Sequence, residues 1–464
     1  MLASRGVNLE PSCAAEGALV PFGSWLSLSG AYLNSNLALS CSPYGRGVRA
    51  SSDVGEGEVV ASLPLNLLIT SDAALSDPQL RASPVRGTNL MALFLLRQRE
   101  ADARWHRFVN VLPRALHTTL FWSEAELAEL QESELASMTR ARVDAVASHY
   151  ESLPENLSVH LSAADFRWAL SILWCVKRPR RSYVRVTSHI FMLSALFLFL
   201  RSRGHVVDLP TGNNQGALVP LVDMFNHHSR PSVKPGRVEG GSFVLRTSRA
   251  LKAGEEATVP YGAQGPLPNS RLLLEYGFCN ETNAAADYLT LRLNASLAVD
   301  PVKDSHRWLR AGAFTQLHLA PLEGYSLRVG LQDDTLPADA LVFARLATSS
   351  VKQELEQAIS VSGVSMEVRS RWLDSLILKA SSDGATLSFI AQSLKLKLEG
   401  SGSTLDQDEQ WLKTHEAEMM PSTRKRCAVL VRVAEKRAIK RLLSSIGDPV
   451  DKELPAEDRA HDEL

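Results

Sequence analysis

Strand-like sequence brackets a long helical stretch in the first part of this 464-residue chain. Residues 45–64 combine alternating apolar side chains with two glycine-containing turns, a pattern that predicts a β-hairpin. Strand patterning returns at residues 242–247 and 257–261, whereas residues 89–153 carry apolar side chains at helical spacing. Ser123, followed three residues later by Glu126, predicts a capping box at a helix start within this stretch. We therefore expect an α+β fold in which a β-rich unit contains a helical insertion.

Helical periodicity dominates the sequence beyond about residue 300. Apolar stripes at residues 336–347, 368–379 and 423–446 predict helices, and Gly447 is placed to end the last of them. We expect domain segments at residues 20–88, 89–165, 166–298 and 299–446, followed by an acidic, disordered tail at residues 447–464.

The last predicted helix is strongly basic. We interpret its charged residues as a solvated face of an amphipathic helix, with a docking surface for an acidic partner as the alternative. The residues are Arg424, Lys425, Arg426, Arg432, Lys436, Arg437, Lys440 and Arg441.

The overall charge gives no case for nucleic acid or an anionic membrane as a partner, because 50 Lys and Arg residues balance 51 Asp and Glu residues. The longest apolar run, residues 190–200, has about half the length of a membrane-spanning helix. The first residues contain no apolar signal-peptide segment, so we interpret the C-terminal His-Asp-Glu-Leu as coincidental.

The five cysteines lie far apart in the sequence, without any Cys-x-x-Cys pair. This spacing predicts neither a disulfide framework nor a zinc site, and it favours a reducing compartment. We expect no metal, and a cytoplasmic location with the nucleus or the chloroplast as alternatives.

Three separated motifs carry the functional signal. They are GRGV at residues 45–48, LVPLVDMFNHH at residues 218–228 and YGAQGPLPNSRLLLEYGF at residues 261–278. In this order and spacing they resemble the SET-domain protein methyltransferases, in the branch of the Rubisco large-subunit methyltransferase. Residues 105–131 resemble the helical insert of that branch, and the helical C-terminal part resembles its substrate-binding domain.

The resemblance implies S-adenosyl-L-methionine as the cofactor and a protein side chain as the methyl acceptor. Tyr276 corresponds to the catalytic tyrosine of the family, Tyr261 to a second active-site tyrosine, and Phe278 to a residue that lines the lysine channel. A tyrosine oxygen beside the sulfonium can orient the methyl group and the incoming amine electrostatically. The cofactor-binding residues implied by the resemblance are Tyr44, Gly45, Arg46, Arg203, Asp223, Asn226, His227 and Tyr261.

Residues 174–199 depart from the family pattern, because they join a basic run to an apolar run. Deleting them would place Arg203 soon after Leu173 and would restore the family spacing. We therefore interpret the segment as an anomalous insertion, such as a retained intron, and Arg203 as the cofactor-contacting arginine, with Arg178 as the alternative.

The acceptor side chain is expected to be lysine, because a histidine-methylating relative in this branch has Ser-Gly-Phe where this chain has Tyr276-Gly277-Phe278. The cysteine-rich zinc site of many histone methyltransferases is absent from the sequence, so a non-histone protein is the expected substrate. The alternatives are a histidine methyltransferase on the same fold and a catalytically silent SET-like binding protein. We expect a monomer.

Overall fold

The computed structural model describes residues 7–13, 16–42, 45–173, 204–208, 214–261, 267–280, 287–299, 303–317, 319, 325–330, 335–415 and 423–447. The predicted insertion at residues 174–199, Arg178, Arg203, Tyr44 and the acidic tail lie outside these residues. The described part combines sheets with many helices, which confirms the expected α+β class.

The strands are short and are distributed over several sheets. Their bounds are β1 Tyr32–Leu33, β2 Leu37–Ser42, β3 Gly45–Ala50, β4 Val59–Pro64, β5 Ile69–Thr70, β6 Gly204–Asp208, β7 Asn214–Leu218, β8 Asn226–His227, β9 Arg237–Glu239, β10 Ser242–Arg246, β11 Glu256–Val259, β12 Tyr288–Leu293 and β13 Tyr325–Gly330. Two four-stranded sheets have the orders β1-β4-β10-β9 and β2-β3-β11-β8, a three-stranded sheet has the order β5-β7-β6, and β12 pairs with β13.

The helices follow the same chain order. Their bounds are α1 Leu19–Leu28, α2 Ser71–Ala74, α3 Pro78–Ala82, α4 Gly87–Arg97, α5 His106–Val111, α6 Glu124–Ala128, α7 Glu134–Glu151, α8 Glu155–Ser158, α9 Ala163–Leu173, α10 Asn269–Tyr276, α11 Arg307–Gln316, α12 Ala338–Thr348, α13 Lys352–Ser360, α14 Met366–Ala380, α15 Gly384–Glu399, α16 Leu405–Thr414 and α17 Arg424–Ser445. None of the helices in the described ranges combines the length and the apolar character needed to cross a membrane.

The predicted hairpin at residues 45–64 is wrong in its pairing, although both of its strands exist. β3 pairs with the preceding strand β2 and with β11, while β4 pairs with β1 and β10 in another sheet. The alternating pattern identifies extended backbone but does not identify the hydrogen-bonding partner. β10 and β11, which pair with the second edges of β4 and β3, come roughly 180 to 210 residues later in the chain.

The predicted helix signals are confirmed where they are local. Ser123 and Glu126 form the capping box at the start of α6, with the Ser123 N–H donating to the Glu126 carboxylate at 2.7 Å. The stripes at residues 336–347, 368–379 and 423–446 become α12, α14 and α17. Gly447 follows α17 with a positive φ of 77°, as expected for a glycine that ends a helix.

Two large hydrophobic clusters organise the described residues. One is formed by the strands up to β11 together with the helices up to α10, and the other by β12, β13, the helices α11 to α15 and part of α17. The long helix α17 belongs to both: Cys427 and Val431 pack in the first cluster, whereas Ile439 and Leu442 pack in the second. The helix therefore joins the β-rich part to the helical part.

The interpretation of α17 as a solvated basic face is wrong for its central residues. Arg426, Arg432 and Lys436 are at most 6% exposed. Arg432 and Lys436 form ion pairs with the buried Asp408 of α16, at 2.5 and 2.7 Å. Burying a charge is costly unless a partner of opposite charge accompanies it, and here the chain supplies that partner itself.

The basic residues at the start of α17 also contact the helical insertion. Arg424 pairs with Glu126 at 3.0 Å, and Lys425 pairs with Glu129 at 3.0 Å. Arg432 reaches the same Glu129 at 3.2 Å. For these residues the acidic partner is therefore the helical insertion of the same chain, not a separate protein.

The expectation of no disulfides is also wrong, since two disulfides lie among the described residues. Cys13 is bonded to Cys41, 28 residues away, and Cys279 is bonded to Cys427, 148 residues away. Sequence spacing cannot reveal such pairs, because only the fold brings their Cα atoms to 5.0 and 5.6 Å. The argument from cysteine usage for a reducing compartment therefore loses its basis.

Candidate active site

The sheet β2-β3-β11-β8 brings two of the three sequence motifs together. β8 consists of Asn226 and His227 and runs parallel to β11, whose other edge pairs with β3. The side-chain amide of Asn226 donates to the Arg46 carbonyl oxygen at 2.9 Å and to Glu256 Oε1 at 2.7 Å. Asn226 thus joins the glycine-containing strand to β11.

Gly47 packs closely against this junction. A Cβ atom on Gly47 would lie 3.1 Å from Asn226 Nδ2 and would overlap the carboxylate of Glu256. The Arg46 side chain points to another set of partners, with its Nε 2.7 Å from Glu16 and its guanidinium donating to the Val111 carbonyl oxygen. The backbone of this strand, rather than the arginine side chain, therefore contacts the Asn226 amide.

His227 is held as a neutral imidazole. The Tyr261 N–H donates to His227 Nδ1 at 3.1 Å, which leaves the proton of the neutral ring on Nε2. Burial lowers the pKa of His227, and the neighbouring His228 acts in the same direction, against the opposing effect of the Val259 carbonyl. Among the described residues, the buried Nε2 has no hydrogen-bond partner.

An aromatic cluster surrounds this histidine. The rings of Tyr261 and Tyr276 stack with their centroids 4.5 Å apart, and the His227 ring stacks on Tyr261 with a centroid distance of 5.2 Å. Phe278 closes the cluster, with centroid distances of 6.2 Å to Tyr261 and 6.1 Å to Tyr276. The Tyr261 hydroxyl donates to the Phe225 carbonyl oxygen at 2.9 Å, which fixes this ring within the cluster.

Tyr276 is the last residue of α10, and the turn after it is tightly packed. Gly277 adopts a left-handed conformation with φ 81°, and its N–H donates to the Leu272 carbonyl oxygen at 3.0 Å. A Cβ atom on Gly277 would lie 2.6 Å from the backbone nitrogen of Thr118 in the helical insertion. Only glycine meets both conditions, and across this turn the rings of Tyr276 and Phe278 lie 6.1 Å apart.

Comparison with known proteins gives the family. A profile of the SET domain matches residues 45–262, and a profile described as Rubisco LSMT substrate-binding matches residues 307–439. This chain belongs to the SET-domain methyltransferases of the Rubisco LSMT-like branch.

Curated relatives of this SET-domain protein act on different acceptors. It is 27% identical over 86% of its length to 75% of the Rubisco large subunit N-methyltransferase of Nicotiana tabacum. It is 25% identical over 91% of its length to 81% of the [fructose-bisphosphate aldolase]-lysine N-methyltransferase of Arabidopsis thaliana. The actin-histidine N-methyltransferase of Homo sapiens is 21% identical, over 91% of this chain and 67% of that protein.

The fold of this SET-domain protein is that of solved Rubisco LSMT structures. A structure of Rubisco LSMT bound to AdoMet superposes with a TM-score of 0.68 at 22% identity, covering 92% of this chain and 91% of that one. A structure of the SET domain of LSMT bound to MeLysine and AdoHcy gives a TM-score of 0.69, covering 95% and 92%. At this identity the likeness establishes the fold.

The residues present fit a bound S-adenosylmethionine. The buried Nε2–H of His227 needs an acceptor, since an unpaired buried polar group costs about 1–3 kcal/mol. Two glycines let the main chain approach a ligand closely: Gly47 has no Cβ, and Gly45 adopts a positive φ of 123° that other residues rarely adopt. No group of three or more His, Cys, Asp or Glu side chains is placed to hold a metal ion in the described ranges.

For three further predicted cofactor-binding residues, Tyr44, Arg203 and Asp223, the predicted role rests on the resemblance alone. Tyr44 and Arg203 lie outside the described residues. Asp223 lies in a 3-10 turn, Val222–Met224, directly before β8, and its role stays a prediction from the resemblance.

Residues that support the site were missed by the sequence reasoning. Glu256, the first residue of β11, accepts from Asn226 and lies directly before the predicted strand at residues 257–261. Asn269 and Asp287 meet at the start of α10, where the Asn269 amide donates to Asp287 Oδ2 at 2.8 Å. The sequence offers no signal for this second pair, because 18 residues separate its members and no local motif joins them.

Proposed function

We propose that this protein is an S-adenosylmethionine-dependent methyltransferase that methylates a lysine side chain of a non-histone protein. The observation that carries the proposal is the aromatic cluster, in which Tyr276 stacks on Tyr261 next to His227 and Phe278. The family supplies the reaction class, and the cluster supplies the argument for the acceptor.

The bound cofactor supplies an electrophilic methyl group. His227 and Asn226 bind it from β8, and Tyr276 and Tyr261 line the path by which the acceptor approaches. The partial negative charge of aromatic ring faces attracts a lysine ammonium as it approaches this stacked pair. The half-buried aromatic surroundings also exclude water from the amine.

An aromatic channel suits lysine for an energetic reason. A lysine amine must lose its proton before it can attack, and at pH 7 this costs about 4–5 kcal/mol in water. Desolvation disfavours the charged ammonium and therefore reduces this cost. A histidine ring, with an ordinary pKa near 6.5, needs little such help, so the tyrosine at position 276 favours lysine as the acceptor.

The test is methyl transfer from labelled S-adenosylmethionine to an extract of the source organism, followed by identification of the methylated side chain. Methyl-lysine in wild-type reactions, and its loss with Tyr276→Phe, would support the proposal. Methyl-histidine would establish the alternative suggested by the actin-histidine relatives. Cofactor binding without transfer to any acceptor would favour the silent binding protein.

The proposed location of the protein is the chloroplast. The tobacco and Arabidopsis relatives are named as chloroplastic, which supports the chloroplast more than the cytoplasm or the nucleus. Fractionation of the source organism with an antibody to this chain decides among the three compartments, and gel filtration of the purified protein tests the expected monomer.

A further inference from the structure

The segment that carries Tyr276 and Phe278 is closed into a loop by one side chain. Asn269 is the first residue of α10, and Asn280 lies two residues beyond Phe278. The Asn280 N–H donates to Asn269 Oδ1 at 2.7 Å, and Asn269 Nδ2 donates to the Asn280 carbonyl oxygen at 3.0 Å. Both ends of the segment 269–280 are therefore tied to the same amide group.

Asp287 fixes the orientation of that amide. Its carboxylate accepts from the backbone N–H of Asn269 and, at 2.8 Å, from the second hydrogen of Asn269 Nδ2. All the hydrogen-bonding atoms of the Asn269 side chain amide are then used, and Asn269 and Asp287 are 5% and 6% exposed. A carboxylate at the N-terminus of α10 is also favoured by the helix dipole.

The cofactor side of the site is held by different contacts. Asn226 is fixed by the Arg46 carbonyl oxygen and Glu256, and His227 by the Tyr261 N–H. None of these hydrogen bonds involves the segment 269–280, which meets this side of the site through the rings of Tyr276 and Phe278. A change at Asp287 can therefore shift these two rings without breaking a hydrogen bond that holds β8.

We propose that Asp287 is a positioning residue for methyl transfer, which acts through Asn269 and Asn280 to set the placement of Tyr276 and Phe278. This inference rests on the proposed function of Tyr276. Misplacement of reacting groups by about 1 Å can lower a rate by roughly a hundredfold, so a loosened clamp should be visible in kcat.

The experiment compares Asp287→Asn with the matched control Asp77→Asn. Asp77 is likewise a carboxylate at a helix N-terminus, where it accepts from the Gln79 and Leu80 N–H groups at 2.9 and 3.0 Å. It caps α3 and pairs with Arg97, outside the site residues. Each variant is assayed below its melting temperature for kcat, KM of the acceptor and Kd of S-adenosylmethionine.

The expected result is that D287N loses roughly ten- to a hundredfold in kcat while its Kd for S-adenosylmethionine changes less than about twofold. D77N should retain the wild-type kcat. A D287N enzyme with wild-type kcat, or one that loses kcat and cofactor affinity together, would overturn the inference.

Hydrogen exchange separates this inference from the proposed function. If wild-type protein transfers no methyl group to any acceptor, the proposed function fails, and the clamp is then tested by exchange of the backbone amides of residues 269–280. Faster exchange there in D287N, with residues 226–228 unchanged, would support the clamp. Unchanged exchange in residues 269–280 would overturn it.

Discussion

Replacing Asp408 with asparagine should destabilise the protein more than any single exposed charge change. Asp408 is 2% exposed and accepts from Arg432, from Lys436 at 2.7 Å and from Ser403 at 2.8 Å. D408N keeps the shape of the side chain but leaves two buried cations without their shared carboxylate.

The magnitude follows from the difference between breaking a buried ion pair and breaking an exposed one. Removing one partner of a buried pair costs about 3–5 kcal/mol, because the other charge remains buried. Glu409 is the matched control, since it is adjacent in sequence and pairs with Arg437 of α17 at 2.9 Å. The side chains of Glu409 and Arg437 are 29% and 52% exposed. E409Q should cost about 0–1 kcal/mol.

Urea unfolding followed by tryptophan fluorescence measures both variants, and Trp411 of α16 lies close to the change. Circular dichroism monitors the unfolding in parallel, because a chain with two large hydrophobic clusters can unfold in steps. If D408N loses less than about 1 kcal/mol, or no more than E409Q, the reasoning from the buried network is refuted.

The pH dependence of the free energy of unfolding gives an independent check of the ion pairs of Asp408. Burial alone would raise the pKa of Asp408, but hydrogen bonds from Arg432, Lys436 and Ser403 outweigh it and hold the pKa below its ordinary value of 3.8. The ionised carboxylate therefore contributes stability above pH 3.8 that is lost as the pH falls through the lower folded pKa. The difference between wild type and D408N should shrink in that range.

Three further predictions concern α10 and its surroundings. Gly277→Ala should lower both the melting temperature and kcat, because its φ of 81° and the 2.6 Å approach to the insertion backbone exclude a Cβ; unchanged values would contradict this. Cys279→Ser/Cys427→Ser should lower the free energy of unfolding by up to about 5 kcal/mol under non-reducing conditions, since the bond closes a 148-residue loop, and equal urea midpoints would contradict it. Burial raises the pKa of Asp287 and Glu435 to about 6. The folded state therefore binds these protons more tightly than the unfolded chain does, and the resulting stabilisation, complete below the ordinary pKa values of 3.8 and 4.5, is lost as the pH rises to about 6. The Asp287 share is about 3 kcal/mol, and unfolding of D287N should lack that part of the pH slope.

Local signals in the sequence predicted local structure well. The Ser123 capping box and the three apolar stripes became helix starts and helices because each depends on residues within one or two turns. The pairing of β3 and β4 could not be predicted in the same way. An alternating pattern shows which face of a strand is buried, but strand partners are chosen by packing across the whole sheet.

The charged face of α17 illustrates a second limit. Charge pattern alone favoured solvent, since most basic residues on amphipathic helices are exposed. The partners that bury Arg432 are Glu129 and Asp408, about 300 and 24 residues away. Neither distance leaves a periodic signal in the sequence, and the same holds for the two disulfides.

The candidate site lies between these extremes. The three motifs predicted which residues would meet, and the structure brings His227, Tyr261, Tyr276 and Phe278 into one cluster. The residues that orient them, such as Asp287, do not belong to a motif. Reacting groups are constrained by chemistry to a few residue types, whereas many side chains can orient them.

The position of α17 links the acceptor side of the site to the helical part of the chain. Its first half packs in the cluster that contains the SET strands, its second half packs with the helical part, and Cys427 is bonded to the residue after Phe278. A displacement of this helix would therefore pull on the Tyr276–Phe278 turn through the disulfide, whereas β8 is coupled to the helix only through packing. Variants that loosen α17, such as D408N, should consequently raise the KM of the acceptor before they weaken cofactor binding. Equal losses of both affinities would contradict this coupling.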